Sequence, residues 1–549
     1  MTRREHNRRE QMTRAWGVQK LVAVALAAVI LVPSFGTAWA TRTPSSPSHV
    51  DPSLSVGEVA LVHTSAGLAG ALSHKLALLG ATDIQTESAA DMVIARLSAP
   101  ALAAIAKDPS VTIATRDTAI VATGDRHGGQ VGFEEDDHTV TATSADMAAM
   151  FAIRAPYAWT RTTGQGVTVA VLDTGIADHP DLGRQKVKAR VSFVNDGSTA
   201  QDPAGHGTFI AGLIAANGTM KGVAPDADLV SVRVLDAHGN GTVANVVKAF
   251  DWLLRNTTRY HIDVVNLSWG APQATTYHKD ILSALVESLW LSGMTVVAAA
   301  GNDGPTNGTV TAPGADPFVI TVGSFADHGT AAWGDDTEST SSGRGPTLDG
   351  FAKPDTLAPG EHVRSLRVAG VTYLDTAGNP VGSASDAYVH MTGTSAAAAF
   401  VSGVAALVSS AHRRFGPTQI KGAIAASGRP MNGSPRTAVD ASQAVVRTGP
   451  ANAGLRPSNL LLQILVLSHA LRVRGVTWEG TTWDSVTRDS VTRDGVTWDG
   501  VTWDGITWDG ITWESVRWDT VHWQSISWET VSWETVSWEG VTWAAVVMR

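Results

Sequence analysis

The sequence predicts an α/β fold: a mostly parallel central sheet, with a small α+β unit before it and a repetitive tail after it. Three observations predict it. Near-continuous apolar runs at Val167–Leu172, Asp263–Leu267 and Thr295–Ala300 read as strands buried on both faces. Small-residue segments with helical spacing, Thr208–Ala216 and Ala396–Val408, supply helices able to run close through a core. From Gly475 onward a five-residue period replaces both patterns.

The first forty residues read as an export signal. Arg3, Arg4, Arg8, Arg9, Arg14 and Lys20 form a basic region before the apolar run Leu21–Val32. Ala38-Trp39-Ala40 is a small-x-small cleavage site. The apolar run is shorter than the roughly 20 residues that span a bilayer. An uncleaved anchor is the alternative. Thr41–Asp51 is a Pro/Ser-rich linker.

A compact α+β pattern follows. Val59–Val62, Met92–Leu97 and Val111–Val121 read as strands. Leu68–Leu79 and Ala101–Ala106 read as helices, with Pro100 suited to a first turn. Thr123–Ser144 is polar, carries Glu134-Glu135-Asp136-Asp137, and reads as an exposed, cleavable linker.

Composition bounds the chemistry. The chain has 549 residues, enough for several domains, and a formal net charge of -10. That charge offers no basic nucleic-acid surface. There are no cysteines, so disulfides, cysteine-ligated zinc and a thiol nucleophile are excluded.

Three short motifs then occur in order: Val171-Leu172-Asp173-Thr174-Gly175, Gly205-His206-Gly207-Thr208 and Gly393-Thr394-Ser395-Ala396. Each alone has a bland reading as a turn carboxylate, a loop histidine or a helix cap. Together they supply what a weak hydroxyl nucleophile needs: a histidine to take its proton and a carboxylate to orient that histidine. Asp173 falls at a strand's carboxyl end, where open α/β sheets place their sites. Ser395 opens a helix whose N-terminus carries partial positive charge.

The order Asp, His, Ser is that of subtilisin, and the chain resembles the subtilisin-like serine proteases. The resemblance runs over about Met147–Val446 and implies helices on both faces of the sheet and a secreted serine endopeptidase. It makes Ser395 the nucleophile, His206 the proton shuttle, Asp173 its orienter and Asn302, after the strand Thr295–Ala300, the oxyanion donor. It assigns the substrate cleft to Gly239-Asn240-Gly241 and Ser268-Trp269-Gly270. The small α+β unit resembles the family's pro-domain, which chaperones folding and inhibits the enzyme.

Departures from the family pattern fall on non-chemical residues. Phe209 stands where a second His is usual, Ala396 where Met is usual and Ala399 where Pro is usual. Asp181 matches a family calcium ligand, but Asn217–Gly222 is short for a calcium loop. No cofactor is expected for the chemistry, and structural calcium is doubtful. Val371–Tyr388 is extra sequence that reads as a hairpin beside the nucleophile.

The tail holds fourteen units, as in Gly500-Val501-Thr502-Trp503-Asp504, and twelve carry Trp in the fourth place; Arg488 and Arg493 take it in the other two. Neither a strand nor a helix keeps a period of five on one face. A turn in each unit resets the phase, and Asp499-Gly500 is turn chemistry. A short-period β-solenoid is expected, with disorder as its rival. Its tryptophans either fill a repeat core or stack on a cell-wall sugar or other surface partner.

The chain thus divides into a signal (1–40), pro-domain and linker (41–145), peptidase domain (146–447), linker (448–474) and repeat tail (475–549). Expected partners are polypeptide substrates, the chain's own pro-domain and a surface partner for the tail, with no nucleic acid. The alternative is a secreted wall-binding or adhesion protein with an inactive protease-like core.

Overall fold

The computed structural model describes residues 50–123, 147–371 and 387–461, apart from 52, 65–66, 89, 200, 450 and 459–460, together with backbone strands within 478–548. The export signal, most of the linkers and residues 372–386 of the Val371–Tyr388 insertion lie outside the described residues.

The small unit runs β1 (Val59–Thr64), α1 (Ala69–Leu78), β2 (Thr82–Glu87), β3 (Met92–Arg96), α2 (Ala99–Ile105) and β4 (Val111–Arg116). Its antiparallel sheet has the order β2-β3-β1-β4. α2 begins where the sequence supplies a cap: the Ser98 side chain accepts from the Ala101 amide, and Pro100 sits in the first turn. Strand alternation splits β1 between two cores. Ala60 and Val62 pack with Leu72, Leu76 and Leu97, whereas Leu61 joins the core of the large domain.

Two details differ from expectation. β2, of sequence Thr-Asp-Ile-Gln-Thr-Glu, is a polar edge strand without an apolar run to announce it. The single strand expected over 111–121 breaks at Asp117. There Asp117 accepts from the Ala244 amide at 2.8 Å, and Thr118 O accepts from the Val243 amide at 2.9 Å. The chain leaves the small sheet and enters the large domain as β5 (Ala119–Ala122).

The large domain continues with β6 (Thr168–Asp173), β7 (Val187–Ser192), α3 (His206–Ala215), β8 (Asp228–Arg233), β9 (Asn240–Thr242), α4 (Val243–Tyr260), β10 (Ile262–Leu267), β11 (Trp269–Gly270) and α5 (Ile281–Leu291). Then come β12 (Thr295–Ala299), β13 (Ile320–Ala326), β14 (Thr337–Glu338), β15 (Thr356–Pro359), β16 (Val363–Leu366), β17 (Tyr388–Met391), α6 (Thr394–Ala411), α7 (Pro417–Ala426), β18 (Arg429–Met431) and β19 (Ser434–Ala438). The main sheet is ordered β18-β19-β15-β13-β12-β10-β6-β8-β7, with β14 on β13. Pairs from β15 to β7 are all parallel. Every residue of β6, β12 and β13 is buried, so both faces of the sheet centre are covered. α6 packs with α3 and α7, while α4 packs with α5. β16 and β17, on either side of the insertion, pair antiparallel.

In the tail, a short strand recurs in each five-residue unit. From Trp478–Glu479 to Ile526–Glu529, each pairs in parallel with the fourth strand further on, as Thr482 with Thr502 and Thr507 with Ser527. Four ladders result. Like residues stay in register, as Trp503 with Trp523. Arg488 and Arg493 stand in register with Trp508 and Trp513.

Candidate active site

Asp173 ends β6, His206 opens α3 and Ser395 is the second residue of α6. Glycines let these segments meet. A Cβ on Gly207 would lie 2.0 Å from Gly175 O and 3.1 Å from the Asp173 Cβ, and one on Gly175 would lie 2.0 Å from Gln201 O. No side chain fits at either place. With them absent, Asp173 Oδ1 and His206 Nδ1 stand 2.7 Å apart, and the Thr174 amide donates to the same oxygen at 2.7 Å. Asp173, His206 and Ser395 are all wholly buried. Among the described residues, His206 Nε2 has no hydrogen-bond partner.

Burial pulls the His206 pKa down. The neighbouring Asp173 carboxylate, by charge and hydrogen bond, and the more distant Asp202 outweigh it, so the net shift is upward from 6.5. Asp202 is a residue that sequence reading missed. It accepts from Thr174 Oγ1 (2.7 Å), the Gly205 amide (2.8 Å), the Thr208 amide (2.8 Å) and Thr208 Oγ1 (2.6 Å). It thereby fastens the start of α3 to the loop after β6 and positions His206. Burial raises its pKa, and these bonds oppose the rise. The available signal was an Asp four residues before the histidine, with Thr174 and Thr208 ready to donate.

Ser395 Oγ donates to Ser268 O at 3.0 Å and lies 2.7 Å from Thr123 Oγ1. A serine hydroxyl has one hydrogen. With that hydrogen given to Ser268, Thr123 is the donor to Ser395. Asn302 Oδ1 accepts from the Thr394 amide and hydroxyl, both at 2.9 Å. Those donors fix the amide's orientation, so Nδ2 donates to Thr123 O.

Thr123 ends an extended segment lying in a backbone slot. β5 sits between β9 and β11, with Ile120 opposite Gly241, Val121 opposite Asn240 and Ala122 opposite Trp269. The Ala122 amide donates to Gly239 O at 2.9 Å and the Thr123 amide to Ser268 O at 3.2 Å. The structure therefore brings Gly239, Asn240, Gly241, Ser268, Trp269 and Gly270 to one extended strand through their backbones. The Trp269 side chain takes no part: it is wholly buried and donates its indole N–H to Leu172 O at 3.0 Å.

Asp181 accepts from the Thr219 amide (2.8 Å), the Met220 amide (2.9 Å) and the Tyr388 hydroxyl (2.7 Å). N–H donors repel a cation, so this donor set does not fit a calcium ion. Among the described residues no group of three His, Asp or Glu could share a metal.

Residues 164–445 match the model of the Subtilase family, just over half of the chain. The chain belongs to the subtilase family. Among the relatives of this subtilase, "Serine protease AprX" of Bacillus subtilis (strain 168) is 39% identical over 271 residues, which are 47% of this chain and 60% of the relative. "M-protease" of Shouchella clausii (strain KSM-K16) is 34% identical over 52% of this chain and 66% of its own length. "Subtilisin Savinase" of Lederbergia lenta is 35% identical over 49% of this chain and 86% of its own length. The chain thus spans less than two thirds of the first two relatives. Within this subtilase, Asp173, His206, Asn302 and Ser395 lie inside the matched stretch, and β5 and the repeat tail lie outside it.

Proposed function

We propose that the chain is a secreted serine endopeptidase made as a self-inhibited precursor. The observation that carries this reading is Thr123: its carbonyl faces Asn302 Nδ2 and its hydroxyl faces Ser395. A substrate residue preceding the cut would sit there. In the reaction Ser395 Oγ leaves Ser268 O, turns to His206 and attacks the carbonyl carbon, while His206 Nε2 takes its proton. Asn302 Nδ2 donates to the oxyanion that develops. His206, oriented by Asp173, then protonates the departing amine as the C–N bond breaks. Water repeats the sequence on the acyl-enzyme and restores Ser395.

The unit 50–123 serves as pro-domain, and the first cut falls between Thr123 and Gly124. Two features support latency: the nucleophile's hydroxyl is held by Thr123 and Ser268, and the triad is shielded from water. A large parallel sheet has many non-local contacts and folds slowly, which gives a folding helper a purpose. The tail is a separate solenoid that does no chemistry and retains the enzyme at a surface. No structural calcium is needed at Asp181. A fluorophosphonate labels only an activated serine, so it tests the reading. Labelling at Ser395 after removal of residues 50–123 is expected, and its absence in folded, processed protein would leave an inactive binding protein.

A further inference from the structure

We infer that Thr311 closes the slot beside the scissile bond and restricts the residue before the cut to a small side chain. This rests on the endopeptidase reading above. The slot has two walls. One is Ser268-Trp269-Gly270, against which Ala122 and Thr123 lie. The other is Ala300-Gly301-Asn302, where Asn302 meets the Thr123 carbonyl. Gly270 and Gly301 contribute no side chains to the space between the walls, which leaves it to whatever enters from elsewhere.

Thr311 enters it. The Thr311 amide donates to Ala300 O at 3.0 Å, and Ala312 exchanges two backbone hydrogen bonds with Ala271 at 2.8 and 2.9 Å. The segment 311–312 is thereby bonded to both walls and spans the slot. The Thr311 side chain stands between the two glycines. A Cβ built on Gly270 would lie 2.3 Å from Thr311 Oγ1 and 2.8 Å from its Cβ; one built on Gly301 would lie 2.7 Å from its Cγ2 and 3.0 Å from its Oγ1. The side chain is β-branched, stiff at χ1 and held at its backbone, so it cannot swing aside cheaply. It is only half-buried even with Thr123 in place. The chain's own occupant agrees, since residue 123 is a threonine.

The test uses secreted full-length protein after its own processing, with chromogenic peptides that differ only in Ala, Thr or Phe before the cut. A pocket changed by a few carbon atoms shifts selectivity by tens of fold, so kcat/KM for Ala and Thr should exceed that for Phe by about tenfold or more. Thr311→Gly should raise the Phe-to-Ala ratio by about tenfold, and Thr311→Ser, which removes only Cγ2, should raise it less but in the same direction. Labelling by a fluorophosphonate shows that each variant is folded. A parent that cuts after Phe as fast as after Ala overturns the inference. So does a small-residue preference unmoved in both variants. Failure of the endopeptidase reading looks different: no peptide is cut and no probe is bound, and the inference falls with it.

Discussion

The Thr123 hydroxyl should slow the chain's own first cut. Thr123→Val keeps the shape and β-branching of the side chain and removes only the donor to Ser395 Oγ. Thr123 is 8% exposed and Ser395 wholly buried, so water does not replace that bond. A neutral hydrogen bond contributes about 0.5–1.5 kcal/mol net. Its loss favours by that amount the Ser395 rotamer that faces His206. Since each 1.36 kcal/mol is tenfold in rate, the first cut should quicken by about 2- to 12-fold. Pulse–chase electrophoresis of the precursor measures it. Thr123→Ser keeps the hydroxyl and should process at close to the parental rate. If Thr123→Val processes no faster than the parent, the hydroxyl does not hold the nucleophile off its base.

Three further outcomes follow from the site and its surroundings. His206 must be neutral to act as base and its pKa is raised, so the acid limb of kcat/KM in a pH–rate profile should have its midpoint above 6.5. In the small unit, burial raises Glu87, Asp91 and Asp117, with Asp251 of α4 adding to the first two; the Gly67 amide opposes the rise at Asp91, and the Ala244 amide opposes it at Asp117. Lys248 and Arg255 of α4 offset part of the rise at Glu87. Groups whose pKa is raised in the complex favour association below their free values and lose that contribution as pH climbs through the raised ones. Inhibition by added pro-domain should therefore weaken as pH rises from the ordinary Asp and Glu range, and calorimetric titration at several pH values checks the sign. At Asp181, a chelator should leave the Tm unchanged, whereas Tyr388→Phe should cost about 1 kcal/mol, a charged hydrogen bond discounted for the partial exposure of Tyr388.

The proposed catalytic residues were legible because the chemistry restricts residue type. Asp173, His206, Ser395 and Asn302 each stand within two residues of a glycine, and Gly175 and Gly207 prove to be places where a Cβ would collide with neighbouring backbone. β6 and β12 were legible because strands covered on both faces must be apolar throughout. β2 was not, because it is a polar edge strand that takes its shape from pairing with β3. The break at Asp117 was hidden because its cause is the amide end of α4, far away in sequence. Asp202 lies four residues before His206, but the four hydrogen bonds it accepts come from the loop after β6 and the start of α3, which only the fold brings together. Trp269 was placed in the substrate slot by its motif, yet strand alternation turns its ring into the core while its backbone pairs with β5. The tail's period implied a corner in every unit, and the four-unit coil was left for strand pairing to define.

The most direct test is the mass of the fragment released from the precursor, since later trimming of the enzyme's new N-terminus leaves that fragment's C-terminus unchanged. The account predicts a fragment ending at Thr123, formed by the parent and absent when Ser395→Ala protein is incubated alone. A fragment ending elsewhere, or the same fragment from Ser395→Ala, would contradict it.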